Sequence, residues 1–214
     1  MTAGGGSGFE NLVIASRNGS LDANIVAVVS NHEHGGVRER ADRLGVPFIY
    51  FPGPYDAQYY SSILQNTAME RMERSELWVA LSGWFKIVKG LDPRKTFNIH
   101  PALLSQLTGR FAAMYGLRLR GAVKAAFDAG EISESGFTMH FVTEELDRGP
   151  VFFEHRVPLH KGMNTDDIQK AVQKAEHEWQ PKITNLVVHG GIRWDGKDPA
   201  TLKVPVGYEY LPKP

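Results

Sequence analysis

The chain has 214 residues, with 24 Lys and Arg against 24 Asp and Glu, and no cysteine. A zero formal charge lacks the basic excess of a general nucleic-acid or membrane-surface binder. The missing thiols exclude disulfides, thiolate nucleophiles and Cys-based zinc sites.

The length suits one large domain over residues 1–214, long enough to bury roughly 70% of the unfolded surface. No apolar run approaches the ~20 residues of a membrane span, and the first residues lack the apolar core of a secretion signal. The expectation is a soluble, cytoplasmic protein.

Residues 4–8 read Gly-Gly-Gly-Ser-Gly and lead into a helical pattern over 10–17. A glycine-rich turn at a helix start can offer backbone N–H groups to a phosphate, although a flexible leader has the same composition. Such a loop normally follows a strand, and only three residues precede Gly4. Residues 23–30 form a near-continuous apolar run, as expected for a strand covered on both faces. A polar turn over 31–36 precedes a helix over 37–44 that Gly45 closes. The next strand, 46–51, tolerates Pro47 only because it stands at the start. This βαβ unit implies a parallel sheet.

A helix is expected over 59–74, with Ile63, Leu64 and Met69 inward, and a buried strand over 76–81 leads into residues 82–88. In the strand that begins at Thr96, alternation puts Asn98 and His100 on one side, and Pro101 ends the pairing. A helix over 119–129 and strands over 137–142 and 151–157 follow. In the first of these strands Phe137, Met139 and Phe141 alternate with Thr138, His140 and Val142, before an acidic loop that carries Asp147. The longest helix, 166–189, should bury Ile168, Val172, Ile183 and Leu186, and Pro181 should kink or split it. Residues 191–214 read as an irregular tail, a surface hairpin or an extended arm. The fold expected is α/β, a doubly wound, mostly parallel sheet whose first strand is reduced to residues 1–3.

An amide, an imidazole and a carboxylate at two strand ends are the parts of a proton-transfer site. Histidine titrates near neutrality, a carboxylate can hold its tautomer, and an amide can donate to a developing oxyanion. The remaining histidines, His32, His34, His155, His160, His177 and His189, show no ligand spacing that suggests a metal site.

Taken together, Gly-Gly-Ser-Gly at 5–8, Ser-Gly-Trp-Phe-Lys-Ile-Val at 82–88, Asn-Ile-His-Pro-Ala-Leu-Leu at 98–104, Met-Tyr-Gly-Leu at 114–117, His-Phe-Val-Thr-Glu-Glu-Leu-Asp-Arg-Gly-Pro at 140–150 and Ala-Glu-His at 175–177 resemble the folate-dependent formyltransferases. The resemblance covers nearly the whole chain and is strongest for members that formylate glycinamide ribonucleotide. It implies formyl transfer from 10-formyltetrahydrofolate, a co-substrate, to the amine of that nucleotide in purine biosynthesis, with no metal. It also implies small-molecule substrates, no nucleic acid or membrane partner, and a monomer or homodimer.

Carried over by position, the resemblance makes Asn98, His100 and Asp147 the catalytic trio. Gly6, Ser7, Gly8 and Glu176 would bind the nucleotide. Phe85, Lys86, Ile87, Val88, His140, Val142, Thr143 and Glu144 would line the folate site. For the apolar members ordinary packing fits equally well, and His140 reads as readily as a core histidine. Gly8, Ser105 and Arg120 depart from an asparagine, a proline and a histidine common in relatives. Three alternatives stay open at this point: water as acceptor, another amine as acceptor, or a non-catalytic folate- or nucleotide-binding relative.

Overall fold

A computed structural model of the chain describes residues 1–69, 77–106 and 116–212. The first half contains α1 (Ser7–Arg17), β1 (Val28–Ser30), α2 (Gly36–Leu44), β2 (Phe48–Tyr50), α3 (Ala57–Met69) and β3 (Val79–Ser82). The second half contains β4 (Thr96–His100), α4 (Gly116–Asp128), β5 (Glu134–Phe141), β6 (Val151–Pro158) and α5 (Thr165–Val188). The expected helix end at residue 74, the strand start at Glu76 and most of the Met-Tyr-Gly-Leu run lie outside the described residues. So does the side chain of Met69.

The α/β class holds, and the strands pair in two groups. β1 runs parallel to β2, and β3 parallel to β4. β5 then joins β4 antiparallel, and β6 joins β5 antiparallel, because a loop too short for a helical crossover connects β5 to β6. Residues 1–3 lie between the groups and reach both. The Thr2 amide donates to the Val29 carbonyl at 3.0 Å, and the Ser82 amide donates to the Met1 carbonyl at 3.0 Å. The Met1 ammonium donates to the Ala80 carbonyl at 2.6 Å, and burial pulls its pKa down to about 5. Residues 1–3 therefore hydrogen-bond to both groups of strands. Below it an apolar cavity of about 500 Å³ opens. Residues 23–27 and 77–78 line that cavity instead of pairing, so β1 and β3 are shorter than their apolar runs.

The main core packs β4, β5 and β6 against α5. It is rich in aromatic rings, with Phe97, Phe137, Phe141, Phe152 and Phe153 all buried. Because both faces of β5 are covered, Thr138 and His140 are buried along with their apolar neighbours. The tail contributes too. Ile192 and Trp194 join this core, Arg193 and Lys203 form an antiparallel bridge, and the Tyr210 carbonyl accepts the Glu154 amide at 2.8 Å.

α5 starts at a reciprocal cap: Asn164 Oδ1 accepts the amides of Asp166 and Asp167, and Asp167 Oδ2 accepts the Asn164 amide. The helix is not split at Pro181; it runs on to Val188. Proline has no N–H for the carbonyl four residues earlier, which is His177. Asn11 of α1 supplies the missing donor: its Nδ2 donates to the His177 carbonyl at 2.8 Å. The repair also ties α1 to α5 beside Glu176.

Asn11→Ala should cost ~1–3 kcal/mol, the usual penalty for orphaning a buried carbonyl. In a Pro181→Ala background the restored N–H should reach His177, and urea unfolding should show a smaller loss for the same Asn11 change.

Candidate active site

The antiparallel register of β4 on β5 builds the centre of the site. Asn98 lies directly opposite His140, and His100 opposite Thr138, so all four side chains share one face. Beyond His100 the chain is held by Thr138, whose hydroxyl donates to the Ala102 carbonyl at 2.8 Å and accepts the Leu104 amide at 3.0 Å. Ser105 adds a second anchor. Its hydroxyl donates to Glu154 Oε1 at 2.6 Å and its amide approaches Oε2 at 3.3 Å, a role proline's nitrogen could not fill.

Asp147 arrives from the loop after β5. The Phe141 amide donates to the Pro150 carbonyl at 3.1 Å, closing the base of that loop. Gly149 packs so tightly there that a Cβ would lie 1.8 Å from the Phe141 carbonyl oxygen. Asp147 itself takes a left-handed backbone, φ 52°, which aspartate tolerates better than most residues. Its Oδ2 lies 3.6 Å from His100 Nδ1, and its Oδ1 lies 3.4 Å from His140 Nε2. Asn98 Nδ2 is 3.1 Å from His140 Nε2 and 3.5 Å from Asp147 Oδ1. The three residues expected from sequence thus converge, with His140 as a fourth member.

Electrostatics assign states to these groups. Burial lowers the His100 pKa to about 4, with the charge of Asp147 opposing, so the imidazole is neutral near pH 7. Burial raises the Asp147 pKa, yet His140, His100 and Asn98 around it together outweigh burial and hold the net value below the usual carboxylate range. A proton on His100 Nδ1 faces this carboxylate, which leaves Nε2 as the open position. Nε2 is buried and has no hydrogen-bond partner among the described residues. His140 Nδ1 faces the Phe141 carbonyl at 2.8 Å, an oxygen that only accepts, so Nδ1 carries a proton. Both His140 nitrogens are therefore engaged within the protein.

Two cavities lie near these residues, the smaller lined by Asn98 and Asp147 and the larger by Ile99 and Pro101, the neighbours of His100. One, of about 190 Å³, is lined by Gly6, Ser7, Gly8 and Glu176 together with Ser82 and Arg120. Gly6 begins α1 with φ 82°, a conformation suited to glycine. Gly8 has a separate reason to lack a side chain, since a Cβ would fall 2.4 Å from Ser82 Oγ and 3.3 Å from Glu176 Oε1. Glu176 is deeply buried, and burial raises its pKa to about 7. Gln173, one helical turn earlier, donates from Nε2 to Ser7 Oγ at 2.7 Å. The sequence reading missed Gln173 and Ser82. The spacing of three from Glu176 on α5 could have flagged Gln173, but only the fold brings Ser82 to Gly8.

The second cavity is small, about 30 Å³, and joins Lys86, Ile87 and Val88 to Asn98, His140 and Asp147. Val142 and Thr143 also line it. Trp84 forms its back, stacked on Phe51 at 6.2 Å and donating to the Tyr60 hydroxyl at 3.0 Å. Phe85 lies on the first cavity instead, and Glu144 accepts the Gly90 amide at 3.4 Å beside a third depression. Of the expected residues, Gly6, Ser7, Gly8, Glu176 and Phe85 line the larger cavity, and Lys86, Ile87, Val88, His140, Val142 and Thr143 line the smaller, while Glu144 lines neither.

Residues 1–184 match the formyl transferase family, and the chain belongs to it. It is 27% identical over 188 residues to the phosphoribosylglycinamide formyltransferase of Bacillus subtilis (strain 168), covering 85% of this chain and 89% of that protein. It is 30% identical over 199 residues to the trifunctional purine biosynthetic protein adenosine-3 of Gallus gallus, covering 90% of this chain and only 18% of that much longer protein. A solved phosphoribosylglycinamide formyltransferase from Anaplasma phagocytophilum matches with a TM-score of 0.75 at 25% identity, covering 98% of this chain and 93% of that one. Among the described residues no helix is long and apolar enough to cross a membrane.

Two outcomes follow from the site's geometry. His100 binds fewer protons folded than unfolded between pH about 4 and 6.5, so its contribution to stability is full above that window and lost as pH falls through it. Urea unfolding across this range should show a shallower loss for His100→Asn than for the parent chain. Gly149→Ala should push the loop off Phe141 and displace Asp147, lowering kcat by roughly 10²-fold, the scale of an ångström-level misplacement, with the far-UV spectrum unchanged.

Proposed function

We propose that the chain transfers the formyl group of 10-formyltetrahydrofolate to the amine of glycinamide ribonucleotide. The observation that carries this reading is the convergence of Asn98, His100 and Asp147, with a cavity edged by a phosphate-type loop reaching Ile99 and Pro101 on either side of His100. That cavity would take the nucleotide beside Ser7 and Glu176, and the folate ring would lie against the Ile87–Val88 segment, whose adjoining cavity of about 30 Å³ is too small to enclose it. Residues 1–214 would act as one formyltransferase domain in the cytoplasm on two small molecules.

The reaction forms a C–N bond between the substrate amine and the formyl carbon and breaks the bond from that carbon to the folate nitrogen. The attacking nitrogen must lose a proton, the carbonyl oxygen gains negative charge, and the folate nitrogen must gain a proton. Asn98 Nδ2 is the donor available for the oxygen; its Asp147 contact, already long at 3.5 Å, is the one it can exchange. Neutral His100 takes a proton at Nε2 while Asp147 stabilises the resulting charge through Nδ1. Transfer through His100 or a bridging water then delivers the proton to the departing folate nitrogen. His140, donating to the Phe141 carbonyl, holds Asn98 and Asp147 in place for these steps.

Asp147→Asn should lower kcat by about 10²–10⁴-fold, the usual weight of general acid–base catalysis, while folate affinity stays near that of the parent. The assay follows release of 5,8-dideazafolate from its 10-formyl derivative, with and without glycinamide ribonucleotide. Nucleotide-dependent release supports the reading; release that ignores the nucleotide would make water the acceptor, and near-normal turnover of the variant would remove Asp147 from the mechanism.

A further inference from the structure

The cavity at the start of α1 has an unusual balance of charge. The first three N–H groups of a helix lack intrahelical acceptors, and the first amide of α1 to find one is that of Glu10, which donates to the Gly6 carbonyl at 3.0 Å. Two arginines stand near this loop, and both are committed. Arg40 Nε donates to Glu10 Oε2 at 2.7 Å and its Nη1 to the Gly5 carbonyl at 2.7 Å, while Arg43 Nη2 donates to Glu10 Oε1 at 2.5 Å. Glu10 is thereby neutralised and turned away from the cavity, which it does not line.

Arg120 differs from both. It lies on α4, is exposed, lines the cavity, and makes no hydrogen bond or ion pair with any described residue. Among the described lining residues it is the cation, and Glu176 is the anion. The start of α1 and an uncommitted guanidinium therefore face one space that also holds a partly buried carboxyl, Glu176, with no hydrogen bond to the protein among the described residues. Arg118, two residues earlier, is equally exposed but does not line the cavity.

We infer that Arg120 is the specificity residue for a phosphorylated acceptor: its guanidinium closes on the substrate phosphate from the side opposite the Gly4–Gly8 loop, while Glu176 addresses the uncharged part of the same molecule. The inference rests on the function proposed above. Arginine suits the task because its planar fork can bond two phosphate oxygens at once. It also explains how the site supplies a side-chain positive charge to a phosphate when Arg40 and Arg43 are tied to Glu10.

The test compares the parent chain with Arg120→Met and Arg118→Met, using glycinamide ribonucleotide and its dephosphorylated riboside as acceptors. A charge-assisted contact predicts that Arg120→Met raises KM for the nucleotide roughly 10- to 100-fold. The same change should leave kcat and the riboside KM near parent values, and Arg118→Met should change neither substrate. An unchanged nucleotide KM, or equal losses with nucleotide and riboside, would overturn the assignment. Calorimetry with ribose 5-phosphate supplies a readout that needs no turnover. Binding that Arg120→Met abolishes supports the phosphate contact even if the parent fails to formylate the nucleotide, an outcome that would sink the proposed reaction alone. Ribose 5-phosphate binding that survives the substitution, or that the parent lacks, would overturn the assignment.

Discussion

The close approach of Gly149 to the Phe141 carbonyl is the contact on which the site's geometry depends. β4 and β5 alone put Asn98, His100 and His140 on one face, but they provide no carboxylate. The loop after β5 must leave the sheet, reverse, and re-enter beside its own starting strand. Only a residue without a Cβ can sit where Gly149 sits. The same return forces Asp147 into a left-handed conformation and aims both its oxygens inward, one at each histidine. Local backbone cost here is converted into the placement of a charge.

That placement is also what sets the protonation states. A carboxylate within 4 Å of an imidazole ordinarily favours the imidazolium. At His100 burial outweighs it, so the ring stays neutral, and its Nε2 is buried without a hydrogen-bond partner among the described residues. At Asp147 the order reverses, because two histidines and an amide together outweigh the desolvation of one carboxylate. The result is an ionised acid behind a neutral base, a pair held ready to accept a proton and to stabilise the charge it creates. Glu176 across the larger cavity shows the contrasting case. It has burial without partners, and its pKa rises to about 7.

Most of this arrangement could be read from the chain because its parts are short-range. Alternation in the strand from Thr96 was enough to put Asn98 and His100 together, and the motif after Phe141 was enough to flag Asp147. What could not be read depends on distant partners. Pro181 should kink or split α5 by local rules, yet the helix runs on to Val188, and Asn11, 166 residues away from His177, donates to the carbonyl the proline leaves free. Nothing near Gly8 in the sequence marks Ser82 as its neighbour. Nor does anything near Ser105 mark Glu154 on β6 as the partner of its amide and hydroxyl. His140 looked undecided between core and ligand because the alternation could not reveal that Phe141, Asn98 and Asp147 would engage its ring.

The divided sheet is consistent with this dependence on distant partners. The trio stands on β4 and β5, within the group of strands that α5 and the aromatic core support. The cavity of about 500 Å³ lies on the other side of β3, where β1 and β3 diverge below Met1. That cavity also reaches Phe97 of β4 and Thr184 and Val188 of α5. The Gly4–Gly8 loop follows directly on residues 1–3. Those residues are fixed by backbone bonds from Thr2, Ser82 and Ala3, and α1 is fastened beyond them by Asn11 on α5. The loop is therefore held at both ends by contacts outside itself.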